Sequence, residues 1–176
     1  MRQYFMDGFY QQGEKNPDHA FEPSGSLLRA LLIAGASTMT GYAARNAEKL
    51  ALYDVNQGYG RVYLSRSLPL KGVSDSIWRL WVRDHKRVPQ LSFYSDGQSP
   101  FIDRFSATGT GPIIVAMSYN DYPGVPGGKT ELVNDLDLKV IHHSSGTMYW
   151  GNEREGGDRR NNDDKIVLSN PSTDGF

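Results

Sequence analysis

From Leu27 to Ala36 the chain reads Leu-Leu-Arg-Ala-Leu-Leu-Ile-Ala-Gly-Ala, apolar everywhere except at Arg29. Its leucines and alanines favour a helix, and Ser24 just ahead is a suitable N-cap. Such a helix is apolar on nearly every side, so it needs cover on several faces at once. It is far too short to cross a bilayer. The body that holds this segment must therefore surround it with other protein.

The character of the chain changes near residue 60. Ahead of it, Tyr4, Phe5, Phe9 and Tyr10 fit one stripe of a helix over Arg2 to Gln12, despite Gly8. Beyond it, short runs alternate in the manner of strands. Leu80 and Val82 alternate with Arg79, Trp81 and Arg83, and Trp78 extends the pattern. Further strands are predicted over Gln90–Tyr94, Phe101–Ala107, Pro112–Tyr119, Asp135–Ile141, Thr147–Trp150 and Lys165–Leu168. Turn signals at Asp96-Gly97, at Thr108 to Gly111 and at Ser144-Ser145-Gly146 separate them. Strands at this spacing point to an antiparallel sandwich. The boundary falls between Arg61 and Gly72, giving a helical part at 1–66 and a sandwich at 67–176. Two short helices cannot make a core by themselves, and the closing Pro171 to Phe176 reads as a turn with a strand about to begin. The expectation is a segment of a longer protein.

Composition removes several chemistries. The net charge is -1 and the basic residues are scattered, which gives no footprint for nucleic acid. With no cysteine there are no disulfides, no thiolate-bound zinc and no thiol nucleophile. Gly124 to Thr130 resembles a phosphate loop only superficially, because Pro123 stands where the motif's first glycine belongs and a strand follows. His142 and His143 are adjacent, so on a strand they face opposite ways and cannot share a metal. Ser24 and Ser26 belong to a helix start, and no Ser-His-Asp set emerges from the spacing. The chain alone offers no active site.

Oxygen ligands are more suggestive. Within Leu132 to Val140, a strand would send Leu136, Leu138 and Val140 to one face and Asp135, Asp137 and Lys139 to the other. That places two carboxylates about 7 Å apart on one face, which sheet stability does not ask for. A hard cation would turn the repulsion into attraction, since Ca²⁺ takes six to eight oxygens. The plainer reading is a charged sheet edge that discourages pairing. Asp158 to Asp164 forms a second acidic group, rich in Asx residues that also suit turns, and Asp121 ends a third strand. Calcium suits such oxygen donors better than zinc does.

Three blocks together resemble the C-terminal part of subtilisin-like serine proteases that carry a β-sandwich after the catalytic domain. Met1 to Tyr10 resembles the end of the helix following the catalytic serine. Pro23 to Ala36, then Asn56-Gln57-Gly58-Tyr59-Gly60-Arg61-Val62, resembles the last catalytic-domain helix and its closing turn. Leu132 to Leu138, Gly146-Thr147, Tyr149 to Asn152 and Asn161-Asn162 resemble the sandwich. The resemblance implies a mainly β chain, with an antiparallel jelly-roll-like sandwich preceded by two helices from the end of an α/β subtilisin-like catalytic domain. It places the catalytic Asp, His and Ser ahead of residue 1, so no catalytic residue is expected here. The parent would be a serine endopeptidase acting on peptide bonds, secreted or in an endomembrane lumen. The partner of this piece would be the rest of the catalytic domain. By position, the resemblance nominates Asp121, Asn134, Asp135 and Asp137, with Asp158, Asn161 and Asp164 as a second group, for calcium. The alternative is a stand-alone binding module for carbohydrate or protein, with Tyr119, Tyr122, Tyr149 and Trp150 as stacking surfaces.

Overall fold

The computed structural model describes residues 1–39, 56–73, 79–86, 100–106, 111–128 and 131–169. The predicted strand at Gln90–Tyr94, Trp78, the turn at Asp96-Gly97 and the final turn at 171–176 lie outside the described residues.

Helix α1 (Arg2–Met6) is shorter than the aromatic stripe predicts. Gly8 adopts φ +75° and packs so tightly on Asn16 that a Cβ there would stand 1.7 Å from the Asn16 carbonyl oxygen. The chain therefore turns back at Gly8, and Phe9 and Tyr10 rejoin Tyr4, Phe5 and Phe21 in an aromatic cluster rather than continuing a helix. The Tyr4 hydroxyl donates to Pro69 O at 2.9 Å, and burial pushes its pKa up to about 12.

Helix α2 (Gly25–Gly35) forms where the apolar run predicts it. Ser24 caps it, its hydroxyl accepting from the Leu27 N–H at 3.0 Å. Leu27 and Leu31 pack into a core with Tyr4 and Phe5, and Leu80 and Val82 lie against that core from later in the chain. Burial of each large side chain there contributes about 1.5–3 kcal/mol. Residues 79–83 alternate as predicted but form no strand. Val82 N–H donates to the Tyr10 hydroxyl at 3.0 Å, so the segment is held by aromatic side chains instead of a ladder. Gly35 lets α2 touch α3 (Leu64–Ser67), where an added Cβ would stand 2.0 Å from Ser67 Oγ.

The described strands form two antiparallel ribbons. In the first, β1 (Ile113–Ser118) pairs with β4 (Asp163–Leu168), with Val115 opposite Ile166 and Ser118 opposite Asp163. In the second, β2 (Lys139–Ile141) and β3 (Met148–Trp150) form a hairpin through a turn at Gly146, which has φ +68°. Alternation splits the first ribbon into two faces. Ile113, Val115, Ile166 and Leu168 turn toward Val140, Leu138 and Phe105 in a second core. Ser118, Asp163 and Lys165 turn the other way, and α2 packs there. The all-apolar helix thus lies between an aromatic cluster and a strand ribbon, which meets its need for cover on more than one side.

The described residues form few helices and small antiparallel sheets. The predicted strand over Asp135–Ile141 begins only at Lys139, because the Leu138 N–H donates to Asp164 Oδ2 (2.9 Å) rather than to a neighbouring strand. Phe101 to Ser106 carry no strand. Among the described residues, no helix is long and apolar enough to cross a membrane.

Candidate functional site

Strand β4 gathers most of the polar chemistry. Its residues Asp163 and Lys165 share one face and both reach the α2 segment. Arg29 Nε donates to Asp163 Oδ1 and to Ser118 Oγ, each at 2.7 Å, and the same guanidinium reaches Tyr119 O. The Lys165 ammonium is buried and donates to Ala36 O at 3.2 Å, just beyond the end of α2. Burial, with Arg66 nearby, pulls the Lys165 pKa down to about 8.

On the opposite face Asp164 is buried against Asn152. Asn152 sits at φ +54° in the 3₁₀ turn Gly151–Glu153, a left-handed conformation that Asn tolerates better than most residues. Its Nδ2 lies 2.8 Å from Asp158 Oδ2, 2.9 Å from Asp164 Oδ1 and 2.9 Å from Asp163 O, so two hydrogens serve three acceptors. Its Oδ1 accepts from the Lys165 N–H at 3.1 Å. The Tyr59 hydroxyl donates to Asp163 O (2.7 Å) and lies 3.1 Å from Asn152 Oδ1. Burial holds the Tyr59 pKa above its ordinary value, and Asp163, Asp164 and Asp158 add to that. Only glycine fits at 151, since a Cβ there would stand 2.4 Å from Asp164 Cγ.

The two carboxylates beside Asn152 titrate in opposite directions. Burial lifts Asp164 to about 6; the Leu138 N–H opposes this, while Asp158, Asp137 and Asp163 add to it. Burial would lift Asp158 too, but donation from Asn161, Asn152 and the Arg160 N–H, with Arg154 close by, holds it below the ordinary range. One amide therefore keeps two buried acids apart and serves both.

The nominated metal ligands divide into smaller groups. Asp121 and Asn134 do come together: the Asp121 carboxylate accepts from the Tyr122, Val133 and Asn134 N–H groups and from Asn134 Nδ2 at 2.7 Å. Burial would lift the Asp121 pKa, and these donors hold it below its ordinary value. Asp135 is ion-paired with Arg159. Asp137 lies against Gly157, where a Cβ would meet Asp137 Oδ1 at 2.1 Å. Burial and then Asp135 raise its pKa, with Arg159 opposing. Asp158 and Asn161 are joined by a 2.7 Å bond, and Asn152 links Asp158 to Asp164. Among the described residues, no three His, Asp or Glu side chains converge as a ligand set. The first group does not fit a cation as arranged, because donors already occupy Asp121 and Asp135. In the second group, Asp164 feels the charges of Asp158 and Asp137, which would suit a cation, although burial is the larger cause of the raised pKa at both Asp137 and Asp164 and favours their protonated forms.

Asn152 and Tyr59 are the members of this polar network that site reasoning from sequence omitted. Both stand in the blocks that carry the family resemblance, and a Gly-Asn pair ahead of an Asp-rich turn is a local cue for a left-handed Asn. Among serine and histidine contacts, Ser145 Oγ lies 3.0 Å from His142 Nδ1. The Ser145 N–H also donates to that nitrogen, so the contact belongs to the exposed hairpin turn.

Comparison with known proteins finds no matching family model. Three curated relatives from Dictyostelium discoideum do match. Serine protease/ABC transporter B family protein tagD is 28% identical over 179 residues, covering 86% of this chain and 10% of that protein. Protein tagA of the same description is 27% identical over 154 residues, 86% of this chain and 8% of its own length. Protein tagB is 25% identical over 170 residues, 81% and 9% respectively. The chain thus spans about a tenth of the length of these relatives. The likeness links it to proteins named as serine proteases.

Proposed function

We propose that this chain is a non-catalytic, supporting portion of a subtilisin-like serine endopeptidase, holding the last catalytic-domain helices and much of a jelly-roll-like C-terminal sandwich. The observation that carries the reading is the likeness to serine-protease-named proteins over 86% of the chain. The geometry favours support over chemistry. Arg29, Ala36 and Tyr59 in the helical part are fastened to Asp163, Lys165 and Asn152 in the ribbon part. Peptide-bond hydrolysis in the parent would be carried out by a serine, a histidine base and a buried aspartate lying elsewhere in that protein.

Calcium is a further component of the proposal. Asp137, Asp158 and Asp164 are the residues that would hold it: Asp158 and Asp164 are buried, Asp137 is exposed, and the ion would supply positive charge among the three. Binding to the folded state alone stabilises by about 2.7 kcal/mol at a hundredfold excess over Kd.

The test treats the chain with a fluorophosphonate serine probe and a chromogenic peptide ester. No labelling and no inhibitor-sensitive turnover are expected; clear serine-dependent hydrolysis refutes the supporting role. Melting in CaCl2, in MgCl2 and in EDTA addresses calcium separately. A higher Tm in CaCl2 than in MgCl2 is expected, and equal Tm values remove calcium from the account. The carbohydrate-module reading is less well supported: the Tyr119 hydroxyl is committed to Asn134 O, and the Trp150 ring carries the Lys139 ammonium at 4.2 Å.

A further inference from the structure

Past the end of α2 the fold brings three cations together. The Ser37 and Arg61 main chains exchange hydrogen bonds at 2.8 and 2.7 Å. The Arg61 guanidinium then stands 4.6 Å from the centre of the Tyr63 ring, and that of Arg66, in α3, stands 5.3 Å from the same ring. Arg61 also reaches the Tyr63 hydroxyl, and Arg66 Nη1 donates to Ser37 Oγ at 2.9 Å. These partners are neutral, so they orient two guanidinium groups without cancelling either charge. A guanidinium has five N–H donors, and most of them stay available at each arginine. Lys165 is 1% exposed, and its ammonium donates to the carbonyl of Ala36, the residue before Ser37. Arg66 lies close enough for its like charge to act on that ammonium. Among the described residues, no carboxylate stands within ion-pairing distance of Arg61, Arg66 or Lys165, whereas Lys15, Lys71 and Arg83 meet Asp7, Glu14 and Asp103.

An exposed arginine pair alone is at home in water. Two neighbouring features point to an occupant. One carbonyl serves a buried ammonium that carries three hydrogens, and an anion brought near would offset the repulsion from Arg66 where water is largely excluded. On either side of Tyr63 in sequence, Val62 and Leu64 are 48% and 50% exposed. A free phosphate would answer the charge and leave both apolar side chains bare, whereas a protein segment answers both needs. Arginine and tyrosine are also the side chains that anchor protein contacts most often.

We propose that Arg61 and Arg66, with Lys165 behind them, form a docking site for an acidic protein segment, whose Asp or Glu carboxylate bridges the two guanidinium groups while its apolar neighbours cover Val62 and Leu64. The paired N–H donors of arginine match the two oxygens of a carboxylate, so direction as well as charge selects the partner. The site is defined by charge and exposure, and it stands whether or not the longer protein is a peptidase.

Fluorescence anisotropy on the 176-residue chain tests this with a labelled Leu-Glu-Leu-Glu-Leu amide and its Leu-Gln-Leu-Gln-Leu twin. The glutamate probe is expected to bind at least about tenfold more tightly than the glutamine probe. In R61Q/R66Q the two probes should bind within about threefold of each other. Both changes lie on exposed side chains, and the bridge to Ser37 is made by the Arg61 main chain, so the variant keeps that bridge. K15Q/K71Q removes the same amount of charge from exposed lysines already paired with Asp7 and Glu14, and should keep the tenfold preference. Equal binding of the two probes by the unaltered chain overturns the proposal, as does no binding of the glutamate probe up to about 1 mM. An equal loss of preference in K15Q/K71Q would reduce the effect to overall charge and overturn it too. So would displacement of the probe by inorganic phosphate at concentrations no higher than those of the unlabelled glutamate peptide, which would make this a site for a free anion.

Discussion

Replacing Asn152 by glycine is expected to lower the unfolding free energy by about 3–5 kcal/mol, the range for breaking a buried charged network. Glycine keeps the φ +54° backbone, so the loss reports chiefly the amide, with a smaller cost from the freer unfolded chain. Without it, Asp158 and Asp164 lose a shared donor, Asp163 O loses one of its donors, and the Lys165 N–H loses its acceptor. Buried groups left without partners carry the full desolvation penalty. Asn152→Ala should cost about 1 kcal/mol more, because alanine resists the left-handed region. Urea unfolding monitored by tryptophan fluorescence measures both. A loss under about 1 kcal/mol for Asn152→Gly would mean that the amide only decorates the turn.

The second large effect is a pH dependence seated on Asp164. Its folded pKa, about 6, stands above the ordinary 3.8 of an unfolded aspartate. Between those values the folded state binds more protons than the unfolded state, so stability from this group falls as pH rises through the window. Below about 4 the penalty is absent, and above about 6 it is fully present. The size is at most about 3 kcal/mol, at 1.36 kcal/mol per pKa unit. Asp164→Asn removes the titration while also turning an amide toward existing donors, a cost that does not vary with pH. In EDTA, wild type should therefore exceed Asp164→Asn in stability by a wider margin at pH 4.5 than at pH 7.5. A margin that stays constant, or widens toward pH 7.5, contradicts the assignment. Lys165 works in the opposite direction at alkaline pH. Its folded pKa of about 8 lies below the ordinary 10.5, so its contribution improves as pH rises through that interval.

How far the sequence foretold this arrangement depends on the range of the interactions. Helix α2 was legible because its signals are local: Ser24 caps and the leucines follow within a few residues. Strands β1, β3 and β4 were legible from short runs such as Ile113-Ile114-Val115 and Ile166-Val167-Leu168, bounded by turn residues. Helix α1 was overdrawn because nothing local tells that Gly8 will be pressed against Asn16. Asp135 to Leu138 were misread as strand because the decisive acceptor for the Leu138 N–H, Asp164, lies 26 residues on. The acidic groups were visible as clusters, and the Asp158–Asn161 bond is local enough to have been inferred. Which charge meets which was not: Asp135 pairs with Arg159, and Asn152 gathers partners from Tyr59 to Lys165. A one-dimensional pattern shows where polar residues accumulate, while the pairing between them is settled by the packing of distant strands.

The proposed role turns on one distinction: Asn152 and its neighbours hold a serine peptidase together without touching its chemistry. The most direct measurement is peptidase activity in the longer protein that the proposal requires, compared between wild type and Asn152→Gly. Initial rates at 25 °C and the half-life of activity on heating would be read from the same samples. The account predicts an unchanged kcat/KM and a half-life shortened at least about tenfold. A fall in kcat/KM with an unchanged half-life would place the segment in catalysis and contradict it.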